Sequence, residues 1–576
     1  MSHRFCSLAC VSLVLSSASL AKAEAPFIYT GEASRPALNA LPPASGPPVP
    51  PVPSSSWPAA IGENFSSPMF FDLDGDGVLE VITTDRAQTY VFAADGSLRP
   101  GWPKPGGSDN IPAVADIDED ASPEILVASP VPPRICCFNV DGTVQAGFPV
   151  SLPYRSWLNA TCPAIADVDG DGHLDVGAQS EGGVAFFDRF GHPLPGWPYL
   201  WATTQNIAWS APAVADLDGD GSCEVVVGNN CLYACSVHVI RSDGTAMPGW
   251  PRTTNNIFAS PAVGDLDGDG DLEIVVQEGD NTWYGNLLHA WHHDGRYVEG
   301  WPIEIAPQWE SSRSNPAIAD IDHNGKLEIV AQTSDGMLHV LDLHGVEWPG
   351  YPRALTAGSI SSVQVIDMDM DGVAEFFLCF YASGSQWVSG WRLNGTTLPG
   401  FPKLLFANSQ LDAHSSAHLA DLEGDGDLDL CVQGGTFGAG QVCVYEVPGS
   451  TWQEQTGRRD WPKIRRDTAN SGYCPRNAIT AVSEAPARAP SLRCYPNPMR
   501  RGGTLSLQLP DDRGGRVAVF DLAGRRRGGA AIDRVPEASF AGRALFGTEP
   551  AAGVYFLRVE GTGGGWTRST RLVILD

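Results

Sequence analysis

Eight copies of one acidic nonapeptide, kept at nearly even spacing, constrain this 576-residue chain more than any other feature. The clearest copy is Asp265-Leu-Asp267-Gly-Asp269-Gly-Asp-Leu-Glu273, which runs straight into Ile274-Val275-Val276. Related copies begin at Asp72, Asp116, Asp167, Asp216, Asp265, Asp320, Asp367 and Asp421, 44 to 55 residues apart. A regular period of this length signals a propeller or a solenoid. Other residues keep the same register. A proline stands four residues before the first Asp at Pro68, Pro112, Pro163, Pro212, Pro261 and Pro316. An aromatic-Pro pair follows each copy but the last at Trp102, Phe148, Trp197, Trp250, Trp301, Tyr351 and Phe401. Trp57-Pro58 and Trp461-Pro462 bracket the array, so nine markers bound eight units.

Each unit reads as four short strands. In the clearest one, Ser260 to Val263 enters the acidic loop and Leu272 to Val276 leaves it. Leu287 to His293 forms the third strand, Asp294-Gly295 a type I′ hairpin turn, and the fourth strand reaches Trp301. About 50 residues in four strands is one propeller blade, and a closed ring of blades leaves no long sheet edge exposed. The repeated aromatic reads as a wedge between neighbouring blades. High Gly (63) and Pro (46) counts suit this plan and speak against a helical protein.

The loops carry the chemistry. Carboxylates at positions 1, 3, 5 and 9 crowd about four negative charges into one tight turn, which is destabilising unless a cation sits among them. The predicted ligands are Asp72, Asp74, Asp76 and Glu80 in loop 1, and Asp116, Asp118, Asp120 and Glu124 in loop 2. Loop 3 has Asp167, Asp169, Asp171 and Asp175, and loop 4 has Asp216, Asp218, Asp220 and Glu224. Loop 5 has Asp265, Asp267, Asp269 and Glu273, and loop 6 has Asp320, Asp322, Asn324 and Glu328. Loop 7 has Asp367, Asp369, Asp371 and Glu375, and loop 8 has Asp421, Glu423, Asp425 and Asp429. Calcium suits such a set, being a hard cation that takes 6–8 oxygen ligands. An EF-hand is excluded, because position 12 is never acidic (Thr83, Val127, Ala178, Val227, Val276, Ala331, Leu378, Val432) and β-branched residues stand where a helix would leave. Thirty-one of the 67 acids stand at positions 1, 3, 5 and 9 of these loops, and eight dications would bring the formal charge from −30 to −14.

At these residues the chain resembles the FG-GAP/VCBS repeat family, whose calcium loops occur in the propeller of integrin α subunits. The resemblance covers about residues 57–473 and implies up to eight structural calcium ions. Three loops depart from the pattern, with Ala121 in place of Gly in the second, Asn324 in the sixth and Glu423 in the eighth, and weaker sites are expected there.

Flanking segments suggest export. Residues 1–23 read as a secretory signal, with a basic start, an apolar run from Leu8 to Leu20 and cleavage after Ala23. Residues 24–56 read as a Pro-rich linker, and no transmembrane span is expected. After a second linker, 474–490, the balance of charge reverses: 479–576 holds 14 Arg against nine acids. The strand-like runs Leu505–Leu509, Arg516–Phe520, Gly553–Val559 and Thr570–Leu575 predict a small Ig-like β-sandwich over 491–576. Tyr495-Pro-Asn-Pro498, Val519-Phe-Asp-Leu-Ala-Gly524-Arg525, Gly553-Val-Tyr555 and Arg571-Leu-Val resemble a type IX secretion C-terminal sorting domain and the related FlgD-like Ig domain. That resemblance implies engagement of outer-membrane secretion machinery and attachment at the cell surface.

The expected fold is therefore all-β: an eight-bladed β-propeller with calcium-binding hairpin loops, then an Ig-like sandwich. The acidic balance argues against a nucleic-acid partner. His-Glu-x-x-His, Gly-x-Ser-x-Gly and phosphate-loop motifs are absent from the sequence, and no cysteine or histidine spacing suits zinc. Cys231 with Cys235, and Cys431 with Cys443, are close enough in sequence to pair. The function expected is a secreted or surface scaffold that binds an extracellular glycan or protein and is not an enzyme. Trp157, Trp209, Trp309 and Arg313, with Arg155, Asn206 and His414, enter the first strands of their blades and are the candidate ligand contacts. The alternative is a calcium-dependent polysaccharide lyase of the propeller type; a quinone-dependent dehydrogenase shares only blade count and wedge aromatics.

Overall fold

Proline cannot donate to a ladder and so favours the first position of a strand, and all six register prolines stand just before one. The computed structural model describes residues 57–450, apart from 63–65, 131, 154–159, 202–205, 208–209, 232–234, 256, 280–285, 307–313, 356–360, 408–414 and 437–438. Beyond these it describes strands between 473 and 575, with residues 525 and 546. Short first strands recur at Met69–Phe71, Ala113–Ala115, Ala164–Ala166, Ala213–Ala215, Ala262–Gly264, Ala317–Ala319, Gln364–Ile366 and His418–Ala420. Each leads through an acidic loop into a longer antiparallel second strand such as Glu273–Gln277, paired Val263↔Ile274. Antiparallel third and fourth strands complete a four-stranded meander. This sheet plan, repeated along the chain, is that of a β-propeller.

Second strands are continuous apolar runs because both of their faces are covered. Ile274, Val275 and Val276 are each fully buried. The cores lie between sheets: Ile82, Val91 and Trp102 of the first pack with Ile125, Val127 and Phe138 of the second. The last core joins Leu422, Cys431 and Val442 to Trp57, Phe70 and Val81, so the final sheet borders the first. Ala59–Ile61 supplies the fourth strand of that final sheet, in register Ala59↔Val442 and Ile61↔Gly440. Across the same seam the Phe70 N–H donates to His418 Nδ1 at 2.8 Å and the Ser416 N–H to Ser67 Oγ at 2.8 Å.

The pairing that joins the ends of the array comes from residues 59–61, while residues 462–472 lie outside the described residues. Tyr473–Cys474 instead runs parallel to Ala262–Gly264, on the free side of that first strand.

Two local expectations change. The fourth strand begins after the aromatic-Pro pair, as Ile303–Ala306, instead of ending at Trp301. The turn before it is not type I′. Gly295 alone has positive φ (81°), the His292 N–H donates to Arg296 O, and the Gly295 N–H donates to His292 O. This is a three-residue loop, a type I turn closed by a left-handed Gly. The Asp-Gly signal fits both turn types, and the pairing decides between them.

The wedge expectation holds. Trp57, Trp102, Trp197, Trp250 and Trp301 each donate from Nε1 to a carbonyl of the next sheet (Ala94, Val140, Ser242, His293 and Leu343) at 2.6–3.0 Å. Tyr351 Oη does the same to Leu393 O at 2.8 Å. Cys431 and Cys443 are free and buried. Cys443 faces Val432 across the ladder, so strand alternation puts Cys431 on the opposite face and the two thiols cannot join.

In the C-terminal region, Arg493–Tyr495, Thr504–Gln508 and Glu537–Ala541 form a three-stranded sheet. Met499–Arg500, Thr567–Leu575, Gly553–Gly561, Gly515–Asp521 and Arg526–Ile532 form a five-stranded one in that order. Among the described residues, no helix is long and apolar enough to cross a membrane.

Candidate metal centre: the acidic hairpin loops

Side chains at positions 1, 5 and 9 shape each loop, and those at positions 5 and 9 do so the same way in all eight. At position 1 the carboxylate folds back over the turn: Asp72 Oδ1 accepts the Gly75 N–H at 2.7 Å and Oδ2 the Gly77 N–H at 3.0 Å. At position 5 a side-chain oxygen accepts the N–H two residues on, at 2.8–3.0 Å in all eight loops. At position 9 the acid reaches back to the position-2 N–H, again in all eight, from Leu73→Glu80 Oε2 at 2.9 Å to Leu422→Asp429 Oδ2 at 3.0 Å. Reaching back draws the acid at position 9 under the turn, where every one is at most 4% exposed.

The backbone must enter the left-handed region at two positions. Gly75 and Gly77 have φ of 75° and 89°, with open space where a Cβ would stand. These glycines stand at positions 4 and 6, and the same conformation recurs there without Gly. At position 4 it is met by Glu119 (64°), His323 (52°) and Met370 (57°), and at position 6 of the second loop by Ala121 (73°). Each of these non-Gly residues carries strain that Gly avoids.

Carboxylates at positions 1, 3 and 9 converge. In loops 1 to 4 one oxygen from each lies within 4.8 Å of the others: Asp72, Asp74 and Glu80; Asp116, Asp118 and Glu124; Asp167, Asp169 and Asp175; Asp216, Asp218 and Glu224. In loop 5 the trio is Asp267, Glu273 and His292. His292 has no sequence signal, since it lies in the third hairpin arm and comes near only through the sheet register; its Nδ1 is 3.0 Å from Glu273 Oε1. Glu423 still reaches the cluster, hydrogen-bonding Asp429. Asn324 replaces the position-5 acid with the same backbone bond, from the Lys326 N–H at 2.8 Å.

Burial without a counter-cation raises the acids at position 9, and neighbouring loop carboxylates add to the shift. Glu124, Glu273 and Asp429 are pushed up to about 8, and Asp175, Glu224, Glu328 and Glu375 to about 7. Glu80 also rises, with Arg99 opposing the shift. Asp216 Oδ1, Asp320 Oδ1 and Asp369 Oδ1 are buried and accept no hydrogen bond. Crowded, buried donors with bare lone pairs, all oxygen except His292 in loop 5, fit a hard divalent cation. These acidic clusters could bind metal.

The other predicted site residues are not brought into view. Trp157, Trp209, Trp309, Arg313, Arg155 and His414 lie outside the described residues. Asn206 opens the short strand Asn206–Ile207, which adds to Glu224–Cys231 of the fourth sheet.

Comparison with known proteins agrees with the fold. The family model described as FG-GAP-like repeat matches residues 216–276 and 265–331, which take in loops 4, 5 and 6. No curated protein matches the chain. Among solved structures, the V. cholerae biofilm matrix protein Bap1 is similar at 15% identity and a TM-score of 0.50, covering 74% of this chain and 96% of that one. The rhamnogalacturonan lyase YesW aligns at 14% identity and a TM-score of 0.34, over 74% and 100% of the two chains. PorZ, a surface component of the type-IX secretion system of Porphyromonas gingivalis, aligns at 13% identity and a TM-score of 0.22, over 91% and 83%. The Bap1 likeness bears on fold alone, and the two weaker alignments carry no argument. The chain thus contains FG-GAP-like repeats on a propeller-type all-β framework.

Proposed function

We propose that this chain is a calcium-stabilised, eight-bladed propeller that serves outside the cell as a rigid binding scaffold for a glycan or a protein. One observation carries the reading: the residues that recur in every repeat are engaged in holding the fold. Acids at positions 1, 5 and 9 bond the loop backbone, and the aromatics bond the next sheet. Catalytic groups need to be only a few, placed once, whereas these residues are multiplied around a ring. Calcium is held by the carboxylates of positions 1, 3 and 9, with position 5 shaping the turn, and it neutralises charge that burial would otherwise penalise. The signal segment 1–23 and the Ig-like sorting domain 491–576 direct the chain to the cell surface through outer-membrane secretion machinery. In this reading the contacts to ligand come from Trp157, Trp209, Trp309 and Arg313.

A glycan array probed with the calcium-loaded protein tests the proposal, run beside an absorbance assay for unsaturated uronates on the glycans it retains. Retention with no rise in absorbance is expected. A rise in absorbance would make the propeller-lyase alternative the correct one.

A further inference from the structure

The eight loops resemble one another in backbone but not in electrostatics. In loop 1, Arg99 Nη1 lies 2.5 Å from Glu80 Oε1 and Nη2 lies 2.8 Å from Asp74 Oδ2. In loop 7, Arg392 Nη1 lies 3.1 Å from Glu375 Oε1 and Nη2 lies 2.9 Å from Asp369 Oδ2. Both guanidinium groups bridge the same two acids, positions 3 and 9, yet they come from different places. Arg99 stands three residues before the wedge Trp102, and Arg392 stands at the start of the turn that holds Gly395.

The geometry points to a division among the loops: in loops 1 and 7 a guanidinium takes the place of the calcium ion that the other loops need. This inference rests on the calcium reading above. A fork of two N–H donors matches two carboxylates and neutralises them at fixed spacing. A calcium ion needs those same oxygens at about 2.3–2.6 Å, together with several more. In loop 1 arginine takes one oxygen each of Asp74 and Glu80, the second Glu80 oxygen accepts the Leu73 N–H, and both Asp72 oxygens accept backbone N–H groups. In loop 7 arginine likewise takes one oxygen each of Asp369 and Glu375, and both Asp367 oxygens accept backbone N–H groups. Contact decides the matter, since register alone does not. Arg241 occupies the Arg392 position in the fourth sheet, and among the described residues it makes no ion pair with a loop carboxylate. At that position the sixth sheet has Asp342, whose charge bears on Glu328.

The test counts calcium ions per chain by native mass spectrometry of the full chain, after chelation and reloading with calcium alone. R99M and R392M are each expected to bind one more ion than the wild type. D342R, a change at a partly exposed turn, is expected to bind one fewer; it keeps the test open if an arginine variant fails to fold. Eight ions on the wild type, or counts that no substitution moves, would overturn the division. No calcium on any of the four proteins would overturn the calcium reading as well, so the two failures are told apart.

Discussion

Ala121 shows how far one residue can be read from sequence and where structure adds to it. The repeat marks it as a departure, and the structure gives the departure a conformation, φ of 73° at a position Gly fills in the other loops. Relieving left-handed strain is worth about 1–2 kcal/mol, and the freer unfolded chain of Gly returns about 0.4–1 kcal/mol of that. A121G should therefore stabilise the protein by about 0.5–1 kcal/mol in urea denaturation at equal metal content; a loss of stability would contradict the assignment. Asn324 teaches the opposite lesson. It stands out in the sequence as a missing charge, but its bond to the Lys326 N–H is the one every other loop makes from Asp. Position 5 needs an acceptor for the turn, which is why an amide serves.

At the scale of the element, the acidic hairpin was legible because charge, Gly and apolar run recur together. The fourth strand was not. Asp294-Gly295 reads as a simple reversal, but a single left-handed Gly sets a different turn, and the strand starts only beyond Trp301-Pro302. His292, Arg99 and Arg392 were also invisible, because their approach to the loops depends on register across strands and sequence spacing does not record it. The hairpins set a pH dependence whose sign follows from their buried acids. Seven of the position-9 carboxyls are pushed up to about 7 or 8 in the folded chain and Glu80 is raised as well, above the unfolded value near 4, so folding without metal takes up protons. That contribution is complete below about pH 4 and is lost as pH rises through 7 to 8. In the proposed reading calcium binds the ionised form and releases those protons. In EDTA the Tm should fall between pH 5 and pH 8, and the gap between calcium-loaded and metal-free protein should widen over the same range. A metal-free Tm that rises with pH would contradict this account.

At the largest scale, the repeat array is joined by its two ends. Period and wedge aromatics announced the repeat, but not why a marker, Trp57-Pro58, stands ahead of the first loop. The structure supplies the reason: Ala59–Ile61 completes the sheet that His418–Ala420 begins, and Trp57 reaches across to Ala94. A chain starting at residue 66 would lose a tryptophan that is only 5% exposed and would leave the strand Ala439–Glu446 as an open edge. Losing that buried side chain alone costs about 3–5 kcal/mol, and the open edge invites pairing between copies. Size-exclusion chromatography should show self-association together with a lowered Tm; a monomer of unchanged Tm would mean that the ring closes elsewhere.

These scales meet in one claim, that divalent ions held by oxygen make a ring of buried acids tolerable. Anomalous diffraction from crystals grown in calcium tests it most directly. The account predicts density among the carboxylates of positions 1, 3 and 9, as in Asp216, Asp218 and Glu224. Loops that keep this backbone with those oxygens turned apart and no anomalous peak between them would contradict it.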